Sequence, residues 1–481
     1  MNVPSIEWIP LLPVLIVMTT AILVLVVDLF IEGDRDILAW LSVFGLVVAA
    51  SAASVLWGHS MKTLAGTYAS DNYTVFFALL FTISGALAVL MAVDYLTTTS
   101  VRGGEYYVLV LFATSGMMIM AAAVDLIVIF LGLEVMSIAV YVLAGVWRQD
   151  VRSNEAAIKY FLLGAFATGF LLFGIALVYA VAGSTRLEAI AAHLARQSGE
   201  GHEMLMLGIG LLIVGFGFKV AAVPFHVWTP DVYEGAPTSV TVLMAVGVKA
   251  AAFAAFGRVF LETLASTRAD WNDVLWWLAV ATMTVGNLFA ISQANIKRML
   301  AYSSIAHAGY LLVAMVAGAK QGGPAMLFYL LAYAAMNLGA FGVVMALGRK
   351  GEPNEEIERY AGLGFRRPLL AMAMAAFMLS LAGVPPLVGF AGKFYVFRAA
   401  VESGFVGLAV IGVLNSVVSA YYYIWIIVMM YMREGDLEPT PLSARPYLAV
   451  TIGISFAVTL LLGLFPSLGF ALARGGFLSL G

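Results

Sequence analysis

Four ionisable residues stand inside stretches apolar enough to cross a membrane. Glu134 lies in "DLIVIFLGLEVMSIAVYVLAG", Lys219 closes "GIGLLIVGFGFK", Lys249 sits in "VLMAVGVKAAAFAAF" and Lys393 in "LAGVPPLVGFAGKFYVF". Each costs about 2.5 to 3.5 kcal/mol at a helix centre, roughly 10 to 14 kcal/mol for the four, so something must offset them. Pairing one carboxylate with one ammonium is the cheapest offset, and Glu134 with Lys219 are the natural candidates. Lys249 and Lys393 are then left without an acidic partner in any span. A buried ammonium with no counter-charge gives up its proton readily. Desolvation worth roughly 4.6 kcal/mol takes a lysine from its ordinary pKa near 10.4 to about 7. Such groups load and unload protons. In this reading Glu134 is an electrostatic lever, holding Lys219 charged when close and releasing its proton when apart.

Two imidazoles extend the thread. His226 follows Pro224 in "VPFH", and His307 lies in "YSSIAHAGY", where Tyr302, Ser303 and Ser304 offer hydroxyls to a water chain. Imidazole titrates nearest neutrality and can relay protons through water. Structural readings compete with each of these roles. Glu134 and Lys219 can be a packing ion pair, Lys249 and Lys393 can snorkel to a surface, and both histidines can be satisfied core residues. Lys159, a few residues into the span that opens "SNEAAIKYFLLG", is expected to reach the cytoplasmic surface. His59, His193 and His202 fall in loops and carry no assignment. The glycine clusters read as close helix packing rather than cofactor binding.

The elements that must hold these residues are membrane helices. Of 481 residues, 62% are hydrophobic and 11% charged, and the mean hydropathy is +0.98. That balance marks an integral membrane protein. A hydrocarbon core of roughly 30 Å needs about 20 apolar residues per helix, which predicts about fourteen spans. The fifth covers residues 125–146, the seventh 204–223, the eighth 239–263, the twelfth 369–398 and the last 446–475. Residues 183–203 and 348–368 read as the longest polar loops. The first apolar run has no positive region before it and is long enough to span, so it is expected to be retained. The seventh and twelfth spans are broken: Pro224, Pro230 and Pro237 follow Lys219, and Pro385 with Pro386 precede Lys393. Broken backbone is tolerated in a bilayer only where protein or a hydrated cavity surrounds it. A break beside a lysine, occurring twice, hints at two repeated units. Lys and Arg concentrate in loops after odd-numbered spans, at Arg148, Arg152, Lys297, Arg298, Arg349, Lys350, Arg359, Arg366 and Arg367. Both termini are therefore expected on the periplasmic side. The net charge of -3 is dispersed, which excludes a nucleic-acid partner, and the absence of cysteine excludes thiolate-held clusters and disulfides. No histidine spacing supports a metal site.

The stretches "SNEAAIKYFLLGAFATGF", "FKVAAVPFHVWTPDVYEGAPTSV" and "NIKRMLAYSSIAHAGY" resemble the N-subunit family of bacterial proton-translocating NADH:quinone oxidoreductase, respiratory complex I. The resemblance runs along essentially the whole chain. It implies an all-α polytopic fold of about 14 helices in a bacterial cytoplasmic (inner) membrane. Two inverted five-helix repeats are implied, residues 104–263 and 264–431, after three helices in 1–103 and before a C-terminal helix in 432–481. In that family Glu134 and Lys219 correspond to a charge pair, Lys249 and Lys393 to further proton-exchanging lysines, and His226 and Lys159 to residues of the same set. No cofactor is implied in this subunit: NADH, FMN, iron-sulfur clusters and quinone belong elsewhere in the complex. The implied partners are an M-type antiporter-like subunit, small K- and J-type subunits and the lipid bilayer. The M-type subunit has a glutamate where this chain has Lys393. One local departure is Ser239, where many N-type chains have proline. The competing readings are a subunit of a multi-subunit cation/proton antiporter without redox linkage, a passive scaffold and a metabolite permease.

Overall fold

The computed structural model describes residues 6–31, 36–96, 103–196, 201–348, 354–435 and 445–477. Arg349 and Lys350, counted above for orientation, lie outside them. The helices are α1 (Leu12–Asp28), α2 (Asp36–Val55), α3 (Asn72–Leu96), α4 (Gly103–Ala122), α5 (Leu126–Ala144) and α6 (Val151–Ala182). They continue with α7 (Leu187–Arg196), α8 (His202–Val220), α9 (Trp228–Gly235), α10 (Thr238–Leu243), α11 (Lys249–Gly257), α12 (Arg268–Ile291), α13 (Ile296–Ala317) and α14 (Ala319–Leu347). The last are α15 (Leu363–Arg366), α16 (Pro368–Ala382), α17 (Val388–Glu402), α18 (Val406–Met432), α19 (Pro446–Leu464) and α20 (Pro466–Phe477). A π-helical turn, Met244–Val248, joins α10 to α11, and a second one, Arg258–Thr263, follows. An antiparallel hairpin of β1 (Met61–Thr63) and β2 (Tyr68–Ser70) stands before α3.

Among the described residues 13 helical stretches are long and apolar enough to cross a membrane. The predicted twelfth span is divided into two short helices, α16 and α17. The chain is a multi-pass membrane protein. Its centre is the stretch Thr238–Thr263 with α13 and α14, almost wholly buried. Around them, side chains such as Leu131, Phe166, Leu414 and Val417 are apolar and exposed, the pattern of a lipid- or subunit-facing surface. Side-chain caps start several helices: Asp125 accepts from Ile127 N at 2.8 Å on α5, and Asn295 accepts from Lys297 N at 2.9 Å on α13. Both ends of the described chain lie on one face of the bundle, because Glu7 N donates to Thr63 Oγ1 beside the hairpin and Asn72 Nδ2 donates to the Gly475 carbonyl.

Two expectations are corrected. The last span is not one helix, since Pro466 cannot donate into a helix and the chain starts α20 there after α19. The loop expected over 183–203 contains α7, whose Leu187 and Ile190 are buried one turn apart.

Glycines let α4 and α5 approach closely. A Cβ on Gly116 would meet the Gly132 carbonyl at 2.8 Å and the Met136 backbone, neither of which can move aside. Gly116→Val is therefore expected to push α5 off α4 and destabilise the chain by about 1 to 3 kcal/mol or more. The measurement is the amount of chain retained in membranes and its denaturation temperature in detergent.

Candidate functional site

The seventh span breaks after α8, where Ala221 takes the left-handed conformation at φ 61° and the Val223-Pro224 peptide is cis. The freed backbone is satisfied inside the protein: Val223 N donates to Thr282 Oγ1 at 3.0 Å, and Trp228 Nε1 donates to the Phe218 carbonyl at 3.1 Å. Lys219 is thereby fixed in the last turn of α8, 3% exposed. Its Nζ donates to Ser137 Oγ at 2.7 Å and to Tyr141 OH at 3.1 Å. The ring centroids of Tyr141 and Tyr160 lie 5.1 and 5.5 Å from that ammonium, and Tyr160 stacks on Trp228 at 4.4 Å.

The expected ion pair between Glu134 and Lys219 does not form. Glu134 is half-buried beside the outward stripe of Leu131, Val135 and Ile138, and its Oε1 is buried without a hydrogen-bond partner. The reason is helical register. Ser137 and Tyr141 lie on nearly the same stripe of α5 as Glu134, about 4.5 and 10 Å further along the axis. Lys219 is docked at their level and not at that of Glu134.

Lys249 follows the first π-helical turn and is 2% exposed. Such turns widen a helix locally and recur at functional positions. Lys249 Nζ donates to the Ser304 carbonyl at 2.5 Å and to Ser304 Oγ, which also accepts from Tyr333 OH at 2.8 Å. One residue away, Ser303 Oγ bonds Tyr423 OH, and Tyr423 OH lies 3.1 Å from His307 Nε2. His307 Nδ1 lies 2.7 Å from Tyr329 OH. The imidazole is 1% exposed.

The twelfth span breaks at Gly383, which adopts φ 92° and would bring a Cβ within 3.0 Å of the Lys393 chain. The left-handed φ favours glycine there. Lys393 Nζ reaches back across the break to the Ala382 carbonyl at 2.9 Å and to Ser416 Oγ at 2.7 Å. An ammonium at the C-terminal carbonyls of α16 also meets the negative end of that helix dipole. The Tyr310 ring lies 4.9 Å from this ammonium, and Tyr310 OH leads through Asn287 to Tyr422 and Asn415.

Lys159 and His226 stand apart from this row. Lys159 is half-exposed at the rim, paired with Glu155 at 2.6 Å and Asp231 at 2.8 Å. Asp231 also pairs with Arg298 at 2.8 Å. Burial pushes the Asp231 carboxyl up, but hydrogen bonds from Lys159 and Arg298 outweigh it and hold the group below the usual carboxylate range. His226 lies in the break, half-buried, with Nδ1 enclosed and without a partner.

Residues 122–419 match the family described as NADH:quinone oxidoreductase/Mrp antiporter, transmembrane. A curated relative, NADH-quinone oxidoreductase subunit N of Trichlorobacter lovleyi, is 50% identical over 459 residues, covering 95% of this chain and 94% of its own. This chain belongs to the subunit N family. Another likeness of the subunit N chain is a chain in the structure of respiratory complex I from Thermus thermophilus with bound aureothin, at 36% identity and TM-score 0.82, covering 96% of this chain and all of that one. A chain of the Mrp complex from Dietzia has TM-score 0.82 at 21% identity over 98% and 97% of the two chains, a likeness of fold alone. Sequence reasoning on this subunit N chain missed Tyr329, Tyr333, Tyr423 and Asn287. Tyrosine in a span is ordinarily an interfacial anchor, so nothing but their spacing with His307 on facing helices distinguishes them.

Proposed function

We propose that the chain is a proton-translocating membrane subunit of NADH:quinone oxidoreductase, coupling quinone reduction in other subunits to proton transfer through Glu134, Lys219, Lys249 and Lys393. His226, His307 and Lys159 are the relay candidates. The observation that carries the reading is the setting of Lys219, Lys249 and Lys393, in contrast to the fourth buried lysine, Lys297, which pairs with Glu355 at 3.1 Å. Each of these three ammoniums donates to hydroxyls or carbonyls, and none of the three touches a carboxylate among the described residues. A scaffold of packing ion pairs would put an anion beside each. Neutral donors and acceptors instead suit a group that changes protonation, since they can serve either form. The hydroxyls of Tyr160, Thr229 and Ser239, buried without protein partners, are suitable ligands for a proton-conducting water file.

Moving one charge against about 150 mV costs roughly 3.5 kcal/mol. A swing of about 2.5 in one lysine's pKa, produced by moving a neighbouring charge, matches it. Glu134 is the acid proposed to supply that field. It sits at the outward edge of α5, where an adjoining subunit's charge can reach it. The partners in this reading are M-, K- and J-type subunits and lipid, and the redox groups belong to other subunits. The repeats over 104–263 and 264–431 remain part of the proposal, each ending beyond a broken helix. The face holding both chain ends is assigned to the periplasm, opposite Arg148, Arg152, Lys297 and Arg298.

Affinity purification of this chain in mild detergent tests the reading against a stand-alone antiporter. NADH-dehydrogenase and quinone-reducing partners are expected to co-migrate. A chain that migrates only with antiporter subunits, and exchanges cations without NADH, rejects it.

A further inference from the structure

A second set of buried charges lies at the hairpin face, away from the lysine row. Arg258 opens the second π-helical turn and is 1% exposed. Its Nη2 donates to Asp71 Oδ1 and Oδ2 at 2.8 and 2.9 Å and to Thr74 Oγ1 at 2.8 Å, while Nε donates to the Ala121 carbonyl at 2.7 Å. The Tyr73 ring lies 4.7 Å from the guanidinium carbon. One guanidinium thus neutralises one carboxylate. Four residues further along, Glu262 brings a second carboxyl to the same place, and its Oε1 is buried without a hydrogen-bond partner. Asp71, Arg258 and Glu262 line a cavity of about 380 Å³ that also takes in Lys62, Arg186 and Glu188. It reaches the surface at the Lys62–Glu188 pair, 2.8 Å apart and largely exposed. The same helix as Glu188 carries His193, half-buried with Nε2 unpartnered.

Lys62, Arg186 and Glu188 stand exposed or paired at the mouth, so the inner part of the cavity holds Arg258, already bound to Asp71, and the half-buried Glu262; ionising both carboxyls there would leave an excess negative charge, which a bound proton compensates. We propose that Glu262 is a proton-binding station, neutral at rest, which releases its proton to the aqueous phase on the hairpin face and takes part in translocation. The inference rests on the proton-translocating reading above. In the release step the Glu262 O–H bond breaks, its electron pair stays on the carboxylate and the proton passes to water in the cavity. Arg258, one turn back on the same helix, then shares its charge between Asp71 and the new anion. A proton arriving from the buried side restores the acid. Lys62 and Arg186 at the mouth oppose re-entry of a positive charge.

Glu262→Gln in the intact complex tests this, because the amide copies the shape of a neutral acid. Infrared difference spectra of the reconstituted complex between acid and alkaline pH are expected to lose one carboxylic C=O band relative to wild type. Protons ejected per NADH are expected to fall roughly two-fold or more, with uncoupled NADH oxidation retained. Glu262→Asp should restore a shifted band and part of the ratio, and it carries the test should the glutamine variant fail to assemble. An unchanged carboxyl spectrum overturns the proposal, and so does a lost band with an unchanged ratio. Lys219→Ala measured alongside separates the two readings: if it stops ejection and Glu262→Gln does not, only this inference falls.

Discussion

Lys219→Ala is expected to cut NADH-driven proton ejection by roughly ten-fold or more, a loss worth at least about 1.4 kcal/mol at the limiting step, while the complex still assembles. The two halves of this result have separate causes. Ejection falls because the ammonium held between α5 and α8 is gone, leaving the hydroxyls of Ser137 and Tyr141. Assembly holds because no carboxylate is stranded. The ammonium is paired with neutral groups, so its removal relieves a desolvation cost of about 3 kcal/mol and does not orphan an opposite charge. Glu134→Gln should be milder, roughly three-fold, since Glu134 acts on Lys219 through its field from the neighbouring turn and not through a hydrogen bond. Proton uptake and NADH oxidation in the same vesicles give the ratio directly. A normal ratio in Lys219→Ala, with the complex intact, rejects the assigned role.

The contrast between Glu134 and Lys219 also marks how far the residue pattern reaches. A charge inside an apolar run is anomalous whatever surrounds it, so Glu134, Lys219, Lys249 and Lys393 stand out by type alone. The breaks beside Lys219 and Lys393 were legible for the same reason, because proline and glycine act on their own backbone. Which turn of α5 meets Lys219 depends on how two helices slide along each other. Apolar faces that are hydrophobic all round specify that register only through shape, as at Gly116 and Gly132. Ser303 and Ser304 were legible beside His307, but Tyr329 and Tyr333 of α14 and Tyr423 of α18, which complete the hydroxyl chain, were not, since they come from other helices. Arg258 was overlooked because it lies near the end of the eighth span, where snorkelling is the default for arginine, and Asp71 lies just before α3. α7 has a legible helical period, but it is short and its buried side covers only two large residues.

Arg258→Ala is expected to behave oppositely to Lys219→Ala, destabilising the subunit by about 3 to 5 kcal/mol and depleting the complex from the membrane. Truncation leaves the Asp71 carboxylate enclosed without its guanidinium and frees the Ala121 carbonyl at the end of α4. It also removes a side chain that ties the start of α3 to the end of α4 and to the π-helical turn. Asp71→Ala should cost less, because Glu262 in the same cavity can ionise and compensate Arg258. The double variant separates a true pair from two independent packing losses. If the pair is the cause, removing both charges orphans neither, and the double variant should lose at least about 1 kcal/mol less than the sum of the single losses. Denaturation in detergent and the amount of assembled complex report both quantities. Strict additivity would mean that the clamp acts through shape and that the two charges merely tolerate each other. The difference between these outcomes follows from partner chemistry: an ion paired to an ion is locked in one protonation state and holds helices together, whereas an ion resting on hydroxyls is free to change state and hold almost nothing.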